Sequence, residues 1–557
     1  MYNGNNMFGN SKHKGEIKKR TWSMMIIFMF LFFLLIWKIS NHMYFKAEPL
    51  KAMFNAQYTI NEKYGMPYKL LDCNGSILLD YEMKYTAVID PVDYFRFNEY
   101  TSKYDMELLT ITLRNYNVNY DLDKVKENVS FEKIRYNINK VTFDKIKDIK
   151  GVKGFYTFEN NEVINDRYWK IENLLTNPRY YKEDVTQPAF KDVDSLEMQI
   201  YNKTKNNENE KIRFDKEVDG EISEGRIIYP ENNVNVRLTL DNEFQDKVEA
   251  ILHEEKYEQI GVVLMESKTG KIRAMAQKND TIYNANLRIA YPGSIFKTIV
   301  SEAGLDLNII DKNERFSVGN LFPNHDKHEN GYEYTHAKAY YDSSNEVYAQ
   351  IGNKVGLEYM YGYAEKQGLL SKVLNLHYEQ NVGVDLSSAV YGNIINSAIG
   401  QKVRITPLQA INIPNTIINK GIYVQPSIIE AYVNDTNEVL EEITSKTSKV
   451  LKSETAETMK YFMMDVVSKG TGKQAYIEGM DIGGKTGTTE YYVEGKKYSD
   501  GWFVGFFNLN GKNYSMVVFV PEILIDIEGK NDEEGGTTAA PIFKEIVEAL
   551  ETLKSIK

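Results

Sequence analysis

In Pro292-Gly293-Ser294-Ile295-Phe296-Lys297 a lysine follows a serine by three residues, so that on a helix the two share a face one turn apart. Pro-Gly breaks the preceding segment, and the apolar Ile295, Phe296, Ile299 and Val300 announce the helix. A serine hydroxyl is a poor nucleophile without an adjacent base. A lysine amine can be that base only if its pKa, about 10.4 when unperturbed, falls toward about 7 to 8 through burial and nearby positive charge. Two later motifs supply what is missing. Ser343-Ser344-Asn345 brings a hydroxyl to relay a proton and an amide to hold a substrate. Lys485-Thr486-Gly487-Thr488 reads as a strand edge whose lysine adds positive charge and whose glycine lets a substrate backbone approach.

Each motif alone is weak. Ser11 and Lys14 repeat the serine-lysine spacing in a basic tail, and Lys268-Thr269-Gly270 repeats the third tripeptide in what reads as a hairpin turn. Order and spacing separate the real set from these. Ser343 lies 49 residues after Ser294, and Lys485 lies 142 after Ser343, each motif on the expected helix, loop or strand.

The elements that must position them follow from patterning. Val236 to Leu240 alternates like a strand, Asp241 is placed to cap a helix, and Phe244, Val248, Ile251 and Leu252 fall at helical spacing. Gly261 to Met265 and Lys271 to Met275 form one predicted hairpin. Trp502 to Phe507 and Tyr514 to Val520, either side of Asn510-Gly511, form a second. A last helix carries Ile542, Phe543, Ile546, Val547, Leu550 and Leu553 on one face. Helices between the first and last strands predict an antiparallel sheet covered by helices. Upstream, residues 45–232 are rich in Tyr, Asn and Lys. Short alternating runs such as Tyr85–Ile89 and Leu108–Leu113 predict small mixed α and β units, and Lys203 to Asp219 reads as a solvated linker or exposed loop.

The chain has 557 residues, 42% hydrophobic and 26% charged, enough for two or more globular units. A formal net charge of -11 argues against nucleic acid as a partner. One cysteine, Cys73, excludes an internal disulfide, and it reads as a packed or surface thiol. Lys12, Lys14, Lys18, Lys19 and Arg20 precede an apolar run bracketed by Trp22 and Trp37, long enough to span a bilayer. No small-x-small site follows, which favours an uncleaved anchor over a cleaved signal peptide. The expected layout is a cytoplasmic tail over 1–21, an anchor over 22–40, and everything later outside the cytoplasm. His325, His328 and His336 could hold zinc, but the polar residues around them make a solvated loop the plainer reading, so no metal is expected.

With these residues in view, the chain resembles the class B penicillin-binding proteins. The three-motif set is shared by class A β-lactamases and penicillin-binding proteins. Val236–Asp241, Gly270–Met275, Thr406-Pro407-Leu408-Gln409, Asp500–Gly505 and Ala539-Ala540-Pro541 also look like segments of that family, and Asp72–Gly75 and Ser195–Glu197 are similar to elements of its N-terminal pedestal. The resemblance implies an α+β architecture: one transmembrane helix, a mixed α/β pedestal over 45–232 and a transpeptidase domain over 236–557. It implies that Ser294 attacks the penultimate D-Ala of a stem peptide ending in D-Ala-D-Ala, with Lys297 taking its proton and Ser343 passing one to the leaving amine. Asn345 would bind the donor peptide. Lys485, Thr486 and Thr488 would bind the terminal carboxylate where Gly487 gives access, and the backbone N–H groups of Ser294 and Thr488 would form the oxyanion hole. No cofactor is implied. β-Lactams would acylate the same serine, and a polytopic peptidoglycan glycosyltransferase is the expected partner, since residues 45–232 show no glycosyltransferase signature of their own. Three departures stand out: Cys73 where the family favours arginine, Lys402 where it favours glycine, and no proline-glutamate element between Leu369 and Tyr391. The alternatives are a β-lactamase, disfavoured by the lack of a glutamate-x-x-x-asparagine loop, and a non-catalytic scaffold or sensor.

Overall fold

The computed structural model describes residues 10–44, 59–122, 132–164, 170–180, 187–278, 284–319, 331–380, 391–525 and 534–553. Its contacts gather into two compact units that alternate along the chain. One comprises Met1–Gly65, Met83–Glu162 and Asn209–Tyr229, the other Met66–Glu82, Val163–Glu208 and Pro230–Lys557. In contact terms the expected stretch 45–232 is therefore divided, and parts of it fold with the residues that carry the motifs.

Helix α1 (Asn10–Tyr44) contains the apolar span Lys19–Asn41. Its 23 residues carry a mean hydropathy of 2.2 with none of the span buried, and at 1.5 Å per residue they reach about 35 Å, enough to cross a hydrocarbon core of about 30 Å. It is the one such helix among the described residues.

In the first unit, strands β1 (Thr59–Tyr64), β5 (Glu210–Asp215) and β6 (Arg226–Ile228) form one antiparallel sheet, while β2 (Tyr81–Ile89), β3 (Ile134–Ile138) and β4 (Phe155–Val163) form another in the order β3-β2-β4. Two expectations are corrected here. Leu108–Leu113 lies within helix α2 (Lys103–Tyr116), where Leu109 and Leu113 are buried four apart and Ile111 is exposed. A pattern that looked alternating is one helical face. The expected linker contains β5, whose Ile212 and Phe214 are buried and alternate with polar residues facing out.

The second unit is built on a five-stranded antiparallel sheet. Strand β7 (Asn235–Leu238) leads, outside that sheet, into helix α3 (Asn242–Glu254). Asp241 caps α3, its side chain accepting from the N–H of Glu243 at 3.0 Å and of Phe244 at 3.4 Å. The sheet comprises β8 (Ile260–Glu266), β9 (Lys271–Lys278), β10 (Gly483–Val493), β11 (Lys496–Leu509) and β12 (Lys512–Leu524), in the order β9-β8-β12-β11-β10. Asn510 and Gly511, at φ 55° and 75°, make the two-residue turn between β11 and β12 that the right-handed twist of paired strands favours. Alternate residues of β8 serve different cores: Val262 and Leu264 pack with the last helix α8 (Ala539–Thr552), Val263 and Met265 with the helical layer on the other face. That layer contains α4 (Lys297–Asp306), α5 (His336–Tyr341), α6 (Asn345–Val355) and α7 (Ser453–Ser468). Both faces of the sheet are covered, as the antiparallel α+β expectation has it.

Cys73 is half-buried with its thiol 3.6 Å from Asp241 Oδ2, and burial pushes its pKa up to about 12, so it packs as a protonated thiol. The neighbouring Asp72 carboxylate accepts the N–H groups of Asn74 at 2.9 Å and Ser76 at 2.7 Å.

Candidate active site

Gly293–Phe296 forms a single 3₁₀ turn that runs into α4, which puts Ser294 at the mouth of the helix and Lys297 at its first residue. Gly293 has φ 54°, and a Cβ there would stand 2.6 Å from the Thr488 carbonyl oxygen. From the other side, a Cβ on Gly487 would stand 2.6 Å from the Pro292 carbonyl oxygen. The two glycines let the serine turn and the third motif touch backbone to backbone. Trp502 Nε1 donates to the Tyr291 carbonyl at 3.1 Å, tying the segment before Ser294 to β11.

Ser343 adopts φ 62°, uncommon for a residue with a Cβ, while Ser344 caps α6 by accepting from the Val347 N–H at 3.3 Å. This kink turns the Ser343 hydroxyl toward two amines. Lys297 Nζ lies 3.2 Å and Lys485 Nζ 3.0 Å from Ser343 Oγ. Lys297 Nζ also donates to the Ser343 carbonyl at 2.6 Å and to Asn345 Oδ1 at 2.7 Å, and Lys485 Nζ donates to the Thr486 carbonyl at 3.1 Å. Both lysines are fully buried, whereas Ser294 is half-exposed. Burial pushes Lys485 down to about 7, since a low-dielectric interior disfavours its charged form.

Lys485 to Thr488 lie on β10, the edge strand, so alternate backbone groups there face away from the sheet. Thr486 Oγ1 pairs with Thr471 Oγ1 at 2.7 Å, and Thr488 Oγ1 accepts from the Gly535 N–H at 2.9 Å. The first N–H groups of a helix lack an intrahelical acceptor, and Ser294 stands in that position. All three motifs thus belong to one unit, and Ser343 is hydrogen-bonded to a lysine from each of the other two.

Lys402 is exposed, and the nearby loop meets the serine turn through Gly400, whose carbonyl accepts from the Gly293 N–H at 3.2 Å. The lysine that departs from the family's usual glycine therefore faces solvent. Glu379, buried between the second and third motifs, accepts the N–H groups of Val373, Leu374 and Leu376. It is engaged in holding a loop. Of the stretch between Leu369 and Tyr391 that lacks a proline-glutamate element, residues 381–390 lie outside the described residues.

His325 and His328 also lie outside the described residues. His336 does not belong to a solvated loop. It is fully buried as the first residue of α5, its Nε2 3.0 Å from Ser301 Oγ, and burial drops its pKa to about 3. No cluster of three or more metal-ligating side chains occurs among the described residues. What the sequence reading missed is the layer behind the lysines. Tyr340 and Tyr348 are fully buried, with ring centroids 5.7 Å from Lys485 Nζ and 5.4 Å from Lys297 Nζ respectively. Their signal was the placement of aromatics on both sides of Ser343-Ser344-Asn345, with His336 and Tyr340 four apart on one helix.

Residues 260–548 match the family described as penicillin binding protein transpeptidase domain. Among relatives, stage V sporulation protein D of Bacillus subtilis is 25% identical over 468 residues, which cover 76% of this chain and 69% of that protein. Penicillin-binding protein PbpB of Mycolicibacterium smegmatis is 25% identical over 383 residues, covering 60% of this chain and 57% of that protein. The fold is similar to that of a solved peptidoglycan synthetase from Bifidobacterium adolescentis, with a TM-score of 0.63, 20% identity, and coverage of 90% of this chain and 97% of that one. It is also similar to penicillin binding protein 3 of Mycobacterium tuberculosis complexed with aztreonam, with a TM-score of 0.59, 17% identity, and coverage of 89% and 98%.

Proposed function

The chain belongs to the penicillin-binding protein transpeptidase family, as a serine D,D-transpeptidase of class B, and from that premise we propose which of its atoms do the work. The observation that carries the reading is the Ser343 hydroxyl held between the amines of Lys297 at 3.2 Å and Lys485 at 3.0 Å.

A neutral amine has two hydrogens and one lone pair. The Ser343 carbonyl and Asn345 Oδ1 are acceptors that take both hydrogens of Lys297, which leaves its lone pair to accept the proton of the serine one helical turn before it. Ser294 Oγ attacks the carbonyl of the penultimate D-Ala as Lys297 takes the serine proton. The oxyanion is held by the N–H groups of Ser294 and Thr488, and preorganised donors of this kind supply roughly 3 to 4 kcal/mol each. Ser343 relays a proton to the departing D-Ala amine, leaving an ester on Ser294. The amine of a second stem peptide attacks that ester, forms the cross-link and returns the serine its proton. Asn345 binds the donor peptide, while Thr486, Thr488 and Lys485 bind its terminal carboxylate across the gap that Gly487 leaves open. A carboxylate arriving beside a lysine that burial holds near 7 draws it to its charged form. Binding therefore takes up a proton.

Labelling with a fluorescent penicillin tests this reading. One penicilloyl group per chain should form, persist, and map to the peptide containing Ser294, because Glu379 is tied to loop amides and is not free to activate water. Rapid drug turnover would favour a β-lactamase, and no labelling by a range of β-lactams would favour a scaffold.

The α1 span anchors the chain in a membrane. Positive charge ahead of it orients the N-terminus to the cytoplasm and the catalytic unit outside. Residues 83–162 and 209–229, which lie outside the unit that carries the motifs, serve as a non-catalytic spacer, and a polytopic glycosyltransferase supplies the glycan strands. Protease added outside cells or spheroplasts should degrade the chain from about residue 45 onward. Protection of the Lys485 region would overturn this orientation.

A further inference from the structure

Behind the two lysines lies a seam of buried polar side chains that the transpeptidase mechanism above does not use. Thr298 and Ser301 on α4 face α5 and α6, where Thr298 Oγ1 pairs with the Tyr340 hydroxyl at 2.9 Å. Ser301 Oγ pairs with the Tyr348 hydroxyl at 2.5 Å and with His336 Nε2 at 3.0 Å. All five residues are completely buried. Phenylalanine at 340 and 348 would fill nearly the same volume without asking for two hydroxyl partners and an imidazole, and a buried polar network is costly unless every member is satisfied. The seam holds two aromatic rings at fixed places, and at those places are the amines of Lys297, 5.4 Å from the Tyr348 centroid, and Lys485, 5.7 Å from the Tyr340 centroid.

We propose that Tyr348 is a positioning residue for acylation, its ring held by Ser301 and His336 against Lys297 so as to stabilise the ammonium that forms when Lys297 takes the proton of Ser294. The inference rests on the assignment of Lys297 as the base. A ring face attracts a cation most strongly where water is excluded, and Lys297 is fully buried. The proton moves from Ser294 Oγ to Lys297 Nζ as the Oγ–carbonyl bond forms, so the ring meets more positive charge after the transfer than before it. That difference accelerates the step.

Other ionisable groups around Lys297 leave this effect visible. His336 behind Ser301 is neutral, its pKa dropped to about 3, and Glu302 on α4 itself is raised to about 8 by burial, so it is a carboxylic acid at neutral pH. Tyr340 and Tyr348 are raised well above the ordinary phenol value. Glu346, on α6 beside Asn345, turns to the Gly319 N–H. Lys485 on β10, pushed down to about 7, titrates close to the working range.

The test is the pH dependence of single-turnover acylation by a fluorescent penicillin, using the full chain in detergent. Removing the ring makes Lys297 a weaker base that sheds its proton more readily. For Tyr348→Leu the plateau rate should fall roughly ten- to thirtyfold, the range a desolvated cation–π contact supplies, while the acid limb moves to lower pH. Tyr348→Phe keeps the ring but loses its bond to Ser301, so it should stay within about threefold of the parent rate, with its limb moved the same way by a smaller amount. A Tyr348→Leu variant with an unmoved acid limb, or a Tyr348→Phe variant as impaired as the leucine, overturns the proposal. Should Tyr348→Leu fail to fold, Ser301→Ala decides: it frees the ring with little change of volume, and its limb should move the same way by a smaller amount. An unmoved limb there also overturns it. A parent chain that does not label at all defeats the transpeptidase reading instead, so the two failures are distinguishable.

Discussion

The Lys297→Arg variant should fold, keep its membrane anchor and fail to acylate, with labelling by penicillin slowed by about 10³-fold or more. Arginine fits the hydrogen bonds that hold the lysine, since the Ser343 carbonyl and Asn345 Oδ1 are both acceptors. It cannot, however, give up its proton in a protein, and the site would hold a permanent cation where a lone pair is needed. Ser294→Ala in parallel should give no label at any time of incubation. The ratio of the two separates base from nucleophile. A trace of slow, stoichiometric label on Lys297→Arg is expected, because the oxyanion donors and bound geometry remain, whereas parental rates would mean that another group takes the serine proton.

Lys485→Met should uncouple activity from stability. Acylation should fall by about 10²-fold or more through loss of carboxylate binding and of the amine beside Ser343. The stability effect runs the other way and has a sign fixed by linkage. Burial pushes the folded-state pKa of Lys485 down to about 7, whereas the unfolded lysine keeps its proton up to about 10.4. Between these values the unfolded chain binds more protons, so the parent gains stability as pH rises from about 7 to about 10, and below about 7 it bears the full penalty. Methionine has no such penalty. The stability of Lys485→Met relative to the parent should therefore improve as pH is lowered from about 10 to about 7, by roughly 1 kcal/mol per pH unit, and then level off. Thermal melts of the pair at several pH values read this directly. A difference that does not vary with pH would mean that Lys485 keeps its ordinary proton affinity in the folded protein.

The catalytic motifs were legible because each is local. Ser294 and Lys297 need only one turn of helix, the Ser343 kink needs only the following Ser344 cap, and Asn510-Gly511 specifies its hairpin in two residues. Elements whose apolar residues are few were not legible. In Glu210–Asp215 only Ile212 and Phe214 face inward, too few to stand out from the charged residues around them. Leu108–Leu113 was too short a window to separate a period of 2 from one of 3.6, and the burial of Leu109 with Leu113 decides it. Tertiary partners were beyond reach: nothing adjacent to His336 in the chain says that its imidazole meets Ser301, or that the rings of Tyr340 and Tyr348 lie beside two lysines. Nor does any linear feature say that Met66–Glu82 and Val163–Glu208 join the catalytic unit.

The order of strands in the large sheet also fixes when the site can exist during synthesis. Strand β8 pairs with β12, Gly261 opposite Phe519 and Leu264 opposite Met516, so the two partners are made some 250 residues apart. Closing a loop of that length costs on the order of 5 kcal/mol of chain entropy before any contact rewards it, and such non-local pairing is slow. A chain emerging N-terminus first holds Ser294, Ser343 and Lys485 well before β12 has appeared to join β8 to β11. Until then the serine turn has no completed sheet beside it, and the apolar strand β8 waits with one edge open. Premature termination between residues 488 and 512 would thus remove an interior strand, and the released polypeptide would be a substrate for quality-control proteases while carrying every motif of the active site.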